Sequence, residues 1–191
     1  MKQAIATSLL AIGLLAGNAA YAEDYTIDTE GMHASIQFRI KHLGYSWLYG
    51  RFDKFSGQFS YDEAKPADAK VEVTIDADSV NSNHAERDKH LRSDDFLDVK
   101  KFPEAKFVST KFTPAADGAG KLEGDLTLHG VTKPITIDVK QIGAGNDPWG
   151  GFRRGFSGST QFALKNFGIK KDLGPDSQEV EMILSIEGVR K

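Results

Sequence analysis

The sequence contains no cysteine among its 191 residues and carries a small formal net charge of −3. The absence of cysteine excludes a disulfide framework, a thiolate metal site and a cysteine nucleophile. The mildly acidic balance argues against a nucleic-acid partner, because binding a polyanion requires a basic surface. Charged residues make up 27% and hydrophobic residues 40% of the chain, which excludes collagen-like, coiled-coil and largely disordered proteins.

The first 22 residues have the pattern of a secretory signal peptide. Lys2 supplies a basic start, residues 4–17 are largely apolar, and Ala20 and Ala22 are the small residues that a signal peptidase reads. The pattern predicts export with cleavage after Ala22; a membrane anchor is the alternative interpretation. No later stretch approaches the roughly 20 apolar residues of a membrane helix, so the mature chain is not expected to span a membrane.

Eight later segments alternate apolar and polar residues with a period of two, which is typical of strands with one buried face. They are residues 34–41, 55–61, 70–76, 105–112, 121–128, 135–139, 156–164 and 180–186. A bulge is expected where the adjacent Phe107 and Val108 break the alternation, and residues 25–27 are a short ninth piece. Alternation favours antiparallel pairing, so a sheet of this size must close into a barrel or split into two packed layers.

Two local signals interrupt the strand pattern: a short helix and a tight turn. Residues 84–92 are polar, and Asn83 precedes Glu86 by the three-residue spacing of a capping box, which predicts a helix. Its small apolar content places it over an opening or edge of the sheet, outside the core. Residues 128–131, Leu-His-Gly-Val, predict a two-residue hairpin turn.

A closed eight-stranded barrel has room either for its own side chains or for one slender ligand. The inward positions are almost all apolar, and glycines among them favour unfilled space; glycines at bulges or against close-packed neighbours are the alternative interpretation. Open space with an apolar lining suits a long apolar molecule. The predicted lining residues are Ile36, Phe38, Ile40, Gly57, Phe59, Val73, Gly124, Leu126, Val139, Gly158, Phe162, Met182 and Leu184.

Four residues in irregular segments are candidates for contact with a ligand head group near the barrel opening. His84 and Arg87 share one face of the predicted helix, and Trp47 and Tyr49 belong to an apolar run interpreted as a loop. Arginine suits a phosphate or diphosphate, and aromatic side chains suit an entrance to an apolar site. The plainer alternative is a solvated surface with aromatics that cap the core.

No cofactor, metal site or catalytic constellation is predicted. His84 and His90 are six residues apart, about 120° around a helix axis, and cannot share a metal as a pair four residues apart does. The Gly155-Phe156-Ser157-Gly158 stretch resembles a nucleophile elbow, but its second glycine comes one residue early. Binding without chemistry is therefore expected; the alternative is an enzyme acting on a lipid head group with His84, Arg87, Asp88 and His90.

Four separated segments carry a resemblance to a known family. They are His42-Leu-Gly-Tyr-Ser-Trp-Leu-Tyr-Gly50, His84-Ala-Glu-Arg-Asp-Lys-His-Leu-Arg-Ser93, Asp125-Leu-Thr-Leu-His-Gly-Val-Thr-Lys-Pro134 and Asp172-Leu-Gly-Pro175. Together they resemble the periplasmic YceI family over essentially all of the mature chain, residues 23–191. The resemblance implies an all-β, lipocalin-like, eight-stranded antiparallel barrel that forms one domain.

The resemblance also implies a function and a location. Family members bind polyisoprenoid chains or other long amphiphiles inside the barrel. The chain is therefore expected to be a periplasmic carrier or storage protein for a polyisoprenoid or isoprenoid-quinone lipid. Some members are dimers, so a homodimer is a further expectation.

Overall fold

The computed structural model describes residues 22–191, so the predicted signal peptide lies, except for Ala22, outside the described residues. The strands are β1 (Glu23–Ile27), β2 (Ser35–His42), β3 (Ser46–Phe52), β4 (Phe55–Tyr61), β5 (Lys70–Asp76), β6 (Val80–Asn81), β7 (Glu104–Pro114), β8 (Ala119–Leu128), β9 (Val131–Asn146), β10 (Phe152–Ala163) and β11 (Glu179–Arg190). One α-helix, α1 (Ala85–Arg92), lies between β6 and β7. None of the helices within residues 22–191 has the length and hydrophobicity of a membrane span.

The strand segments form one antiparallel sheet that closes as an eight-stranded barrel. One side of β11 pairs with β10, and its other side pairs first with β2 and then with β1. In the same way, β2 pairs with β3 while β1 pairs with β4. On the next side, β3 pairs with β6 while β4 pairs with β5. Three pairs of segments thus act as single bent strands, which reduces eleven segments to eight. The predicted antiparallel barrel is confirmed.

The strand alternation places apolar side chains inside the barrel, as the bulge region of β7 illustrates. Phe107 is buried, whereas its neighbour Val108 is 40% exposed on the outer face. The pairing of β7 with β8 shifts register between Ser109 and Lys111, so the bulge lies just beyond the predicted position. A bulge of this kind restores the alternation after an out-of-phase residue.

The prediction of a loop at residues 47–49 is wrong, because this run belongs to β3. Trp47 pairs with Lys41, and Tyr49 pairs with Arg39, in the antiparallel ladder with β2. A signal was present, since Leu48, Gly50 and Phe52 alternate with bulkier polar and aromatic residues. The alternation was not recognised because Trp47 and Tyr49, at the outer positions of β3, are aromatic and not polar.

The predicted helix is confirmed, but its cap is a different residue. His84 is the N-cap, and its Nδ1 accepts a hydrogen bond from the backbone N–H of Arg87 at 3.2 Å. The expected cap, Asn83, lies before the helix in the left-handed region with φ of 61°. Leu91 of α1 packs against the cluster of Phe38, Val80 and Val180, so the helix covers one end of the barrel.

Candidate ligand-binding cavity

The barrel encloses a cavity of about 630 Å³. This volume lies within the range of small-molecule binding sites. Isoleucine, leucine, valine and phenylalanine side chains from around the barrel provide most of its wall. The barrel is therefore hollow and apolar, and its side chains do not fill it.

Eleven of the thirteen predicted lining residues border this cavity. They are Ile36, Phe38, Ile40, Phe59, Val73, Leu126, Val139, Gly158, Phe162, Met182 and Leu184. They come from strands on all sides of the barrel, so the alternation identified the inward face of each of these strands. Leu48 and Phe52 of β3 also border the cavity; sequence reasoning assigned Leu48 to a loop at the entrance and did not include Phe52 in the lining.

Two predicted lining glycines need correction, because neighbours cover them. A Cβ atom at Gly124 would lie 2.5 Å from Cζ of Phe107, and one at Gly57 would lie 2.5 Å from the backbone oxygen of Glu72. These glycines permit close packing, which was the alternative interpretation. Gly158 does border the cavity, and the nearest neighbour of a Cβ there would be Ile137 Cγ2 at 3.1 Å, with the nearest backbone atom at 3.6 Å.

Stacked aromatic rings form one end of the barrel, here called the Arg154 end. Tyr25 is fully buried and stacks on Phe59 with 4.7 Å between ring centres. Phe59 in turn meets Phe156 edge to face at 5.6 Å, and Tyr61 lies 5.5 Å from Phe156. Offset and edge-on aromatic contacts stabilise such a cluster. The rings give the cavity an apolar floor.

The Arg154 side chain is only 3% exposed and lies beneath this floor. Its Nε donates to Tyr25 Oη at 3.2 Å, its Nη2 donates to Glu63 Oε1 at 2.9 Å, and its guanidinium lies 4.7 Å from the centre of the Tyr61 ring. Burial lowers the pKa of Arg154, but the hydrogen bonds to Tyr25 and Glu63 outweigh it and raise the pKa. The cation is thus held by local partners.

The opposite end of the barrel, here called the helix end, carries polar groups on the cavity border. Those residues are Lys41, His42, Arg87, His90, Asp172 and Ser177. They come from the end of β2, from α1 and from the segment before β11. The cavity therefore has an apolar interior with a polar, mostly basic border at one end.

Arg87 borders the cavity as predicted for a head-group residue, and hydrogen bonds fix its position. Its Nε donates to Ser82 Oγ at 2.7 Å, and its Nη2 donates to the Ser82 carbonyl at 2.6 Å. Buried Asp88 accepts from both the backbone N–H and the hydroxyl of Ser82, at 2.7 and 2.5 Å. This network anchors the start of α1 over the barrel.

A second set of bonds holds the far end of α1. Asp95 accepts from Lys171 Nζ at 2.7 Å, and His90 Nε2 lies 2.7 Å from the same carboxylate oxygen. The hydrogen bond from Lys171, followed by that from His90, lowers the pKa of Asp95. The helix and the segment before β11 are therefore linked across the helix end.

The other three predicted head-group residues do not border the cavity. Trp47 and Tyr49 lie on the outer face of β3, where the Trp47 ring centre is 4.3 Å from the Arg39 guanidinium. His84 is exposed and serves as the helix cap. Sequence reasoning missed Lys41 and His42, the last two residues of β2, which border the cavity where the strand ends.

An ion cluster lies outside the barrel wall around Arg153. Its guanidinium donates to Asp28 at 2.5 Å, to Glu187 at 2.7 Å and to Asp147 at 2.9 Å. Hydrogen bonds from His33 and Arg153 hold the pKa of the Asp28 carboxyl well below its usual range. The metal-ligating atoms of Asp28, His33 and Glu187 lie close together, but the carboxylates of Asp28 and Glu187 already accept hydrogen bonds from Arg153.

Residues 25–188 match the family model described as the YceI-like domain. This chain belongs to the YceI family. It is 58% identical to a UPF0312 protein of Pseudomonas paraeruginosa over 191 residues, which is all of both chains. The family predicted from the four sequence segments is thus confirmed.

Solved structures show the same fold as this YceI-family protein. A YceI protein of Campylobacter jejuni is 31% identical, with a TM-score of 0.71 over 80% of this chain and 90% of that one. A structure described as a polyisoprenoid binding domain from Saccharophagus degradans gives a TM-score of 0.62 at 16% identity, over 87% of this chain and 98% of that one. At that low identity, the second similarity concerns the fold alone.

Proposed function

We propose that this protein is a periplasmic carrier or storage protein that holds a long apolar lipid inside the barrel. The ligand class is a polyisoprenoid or isoprenoid quinone. The apolar cavity of about 630 Å³ carries the proposal. The signal-peptide pattern supports export, and the resemblance to the YceI family, whose members bind polyisoprenoid chains, supports the ligand class. The Saccharophagus degradans structure described as a polyisoprenoid binding domain shares the fold.

Burial of the lipid tail supplies the binding free energy. Each buried methylene contributes roughly 0.8 kcal/mol, so a tail of about ten carbons contributes about 8 kcal/mol before the costs of association. Because the free energy of apolar burial does not depend on direction, the cavity wall selects for apolar and slender molecules and does not recognise a particular chemical group. Phe38, Phe162 and Leu184 on the cavity wall provide apolar surface against which the lipid tail is buried.

The polarity of the two ends sets the orientation of the ligand. Its tail points toward the aromatic floor at Tyr61 and Phe156, and its head group lies at the helix end near His42 and Arg87. A cation bordering an apolar cavity suits a polar or anionic head group, because charge-assisted hydrogen bonds are strong there. The homodimer implied by the family resemblance remains a prediction.

Binding without chemistry is favoured over an enzyme by the roles of the polar residues. Arg87 and Asp88 anchor α1 to Ser82, His84 caps the helix, and His90 is bonded to Asp95. Each of these side chains has a structural partner that accounts for its position. We therefore expect a bound lipid to leave the protein chemically unchanged.

Mass spectrometry of the gently purified protein tests the proposal. We expect a co-purified long-chain lipid, and delipidated protein should take up a polyprenol or an isoprenoid quinone from solution. Recovering the added lipid after prolonged incubation should return its original mass; a changed mass would support the enzyme alternative. Delipidated protein that is folded but takes up none of these lipids would refute the carrier function.

A further inference from the structure

The turn between β2 and β3 joins the cavity to the outer surface. Leu43 borders the cavity and is 54% exposed, and Tyr45, two residues on, is 87% exposed. Within residues 22–191, Leu43 is the one large apolar residue that combines both properties. Apolar surface is therefore continuous from the interior of the barrel to its outside at this turn.

The backbone of this turn holds Leu43 in an unfavourable conformation. Leu43 has φ of 51° and Gly44 has φ of 79°, and the Tyr45 N–H donates to the His42 carbonyl at 3.0 Å. Glycine and asparagine suit such positions, whereas a bulky side chain is strained there. Buried Ser177 secures the turn, since its hydroxyl accepts from the Leu43 N–H at 3.2 Å. Strain of this kind is maintained most often where function requires it.

The hairpin around this turn differs in charge from the rest of the chain. The whole sequence has 27 acidic and 24 basic residues, yet residues 34–52 contain Arg39, Lys41 and Arg51 and no acidic residue. One carboxylate from outside the hairpin, that of Asp176, lies beside Gly44, where it would be 3.1 Å from an added Cβ. Arg39 and Arg51 each pair with a carboxylate, whereas Lys41 lies beside the exposed Trp47, with Nζ 6.0 Å from the ring centre. Exposed aromatic rings beside basic side chains are typical of surfaces at a membrane interface.

We propose that the β2–β3 hairpin docks this protein on an anionic lipid bilayer. Leu43 and Tyr45 enter the headgroup region at the tip, and Trp47, Tyr49 and Lys41 contact it from the outer face. A lipid then passes between bilayer and cavity along the apolar surface at Leu43, without exposing its tail to water. The transfer step rests on the proposed carrier function, whereas the docking step does not.

The Arg154 end offers no equivalent path and provides the control. Trp149, in the loop between β9 and β10, is 76% exposed, so it matches Tyr45 as an exposed aromatic residue. The register of β10 with β9 and β11 places this loop at the end floored by Tyr25 and Phe59. An exposed aromatic side chain is thus present at both ends, but among the large apolar residues of the described part of the chain, Leu43 alone is both exposed and on the cavity border.

Vesicle co-sedimentation of the purified protein tests the docking step. We expect binding to phosphatidylcholine vesicles that contain phosphatidylglycerol, and weaker binding to phosphatidylcholine alone. Tyr45→Ser should raise the Kd for these vesicles about tenfold, whereas Trp149→Ser should leave the Kd unchanged. Leu43→Asn should also weaken binding while keeping or raising the melting temperature, because asparagine tolerates a positive φ.

Transfer of a fluorescent long-chain lipid tests the second step. We expect the rate to rise with the concentration of acceptor vesicles for the wild type and for Trp149→Ser, and to rise with a slope about tenfold lower for Tyr45→Ser. Wild type that takes up lipid but does not bind vesicles would overturn the docking proposal and leave the carrier function intact. Vesicle binding without lipid uptake would overturn the carrier function and leave the docking proposal intact. Equal losses of vesicle binding for Tyr45→Ser and Trp149→Ser would also overturn the docking proposal.

Discussion

The Phe107 ring packs directly on the backbone of Gly124, so that a Cβ atom at Gly124 would lie 2.5 Å from Cζ of Phe107. The same atom would lie 2.6 Å from the backbone oxygen of Val108, which cannot rotate away. Gly124 therefore makes room for a neighbouring phenylalanine on the cavity wall. It does not itself leave a void.

Gly124→Ala should destabilise the protein because the added methyl group has no space. Overpacking of this kind costs about 1–3 kcal/mol in the free energy of unfolding. The measurement is urea denaturation, compared with Gly143→Ala, where an added Cβ has no neighbour within 4 Å. Equal stabilities for the two variants would show that the Phe107 contact is not constraining.

Gly158→Leu should reduce lipid uptake by placing a side chain inside the cavity. A Cβ at Gly158 would lie 3.1 Å from Ile137 Cγ2 and 3.4 Å from Leu184 Cδ1, so a shift of a few tenths of an ångström admits it, and the cavity takes the rest of the leucine side chain. We expect a loss of affinity of about tenfold or more for an isoprenoid quinone. Gly143→Leu adds the same side chain outside the cavity and should bind normally. Unchanged affinity of Gly158→Leu would place the ligand elsewhere.

Asp88→Ala should destabilise the cover that α1 forms over the helix end. The substitution leaves the buried N–H and hydroxyl of Ser82 without their acceptor, which costs about 1–3 kcal/mol. Denaturant unfolding measures the loss, and Glu86→Ala, at an exposed position of the same helix, is the matched control. A loss no greater than that of the control would mean that the Ser82 network does not anchor the helix.

The Arg153 cluster should make stability depend on pH in the acid range. Because the pKa of Asp28 is lowered in the folded protein, its contribution is present above the unfolded pKa of about 3.9 and is lost as the pH falls toward the folded pKa. Asp147 shifts in the same direction, through the Gly151 N–H first and then Arg153.

The variant Asp28→Asn checks this dependence. We expect a lower free energy of unfolding near neutral pH and a shallower decline below about pH 4 than in the wild type. Denaturation midpoints measured across that range provide the comparison. Parallel curves for the two proteins would show that Asp28 does not contribute to the acid sensitivity.

Local patterns gave most of the fold. The period-two alternation identified eight of the strands, and the hairpin turn at His129 and Gly130 has the positive φ angles, 51° and 72°, that its sequence predicted. The same patterns misplaced the helix cap, because His84 and Asn83 are both capable of the local hydrogen bond. They also missed β3, where Trp47 and Tyr49 occupy the outer face.

The order of apolar and polar residues by itself determined antiparallel strands with one apolar face, because side-chain direction along a strand is a local property. The tertiary structure decided that the sheet closes as a barrel and does not split into two packed layers. Only the tertiary structure decided which glycines leave space. Gly124 is covered by Phe107 from the neighbouring strand, whereas Gly158 faces open cavity. Likewise, only the closed barrel brought Leu43 and Arg87 to one end of the cavity. The space beside a residue depends on side chains distant in sequence, and no local pattern encodes it.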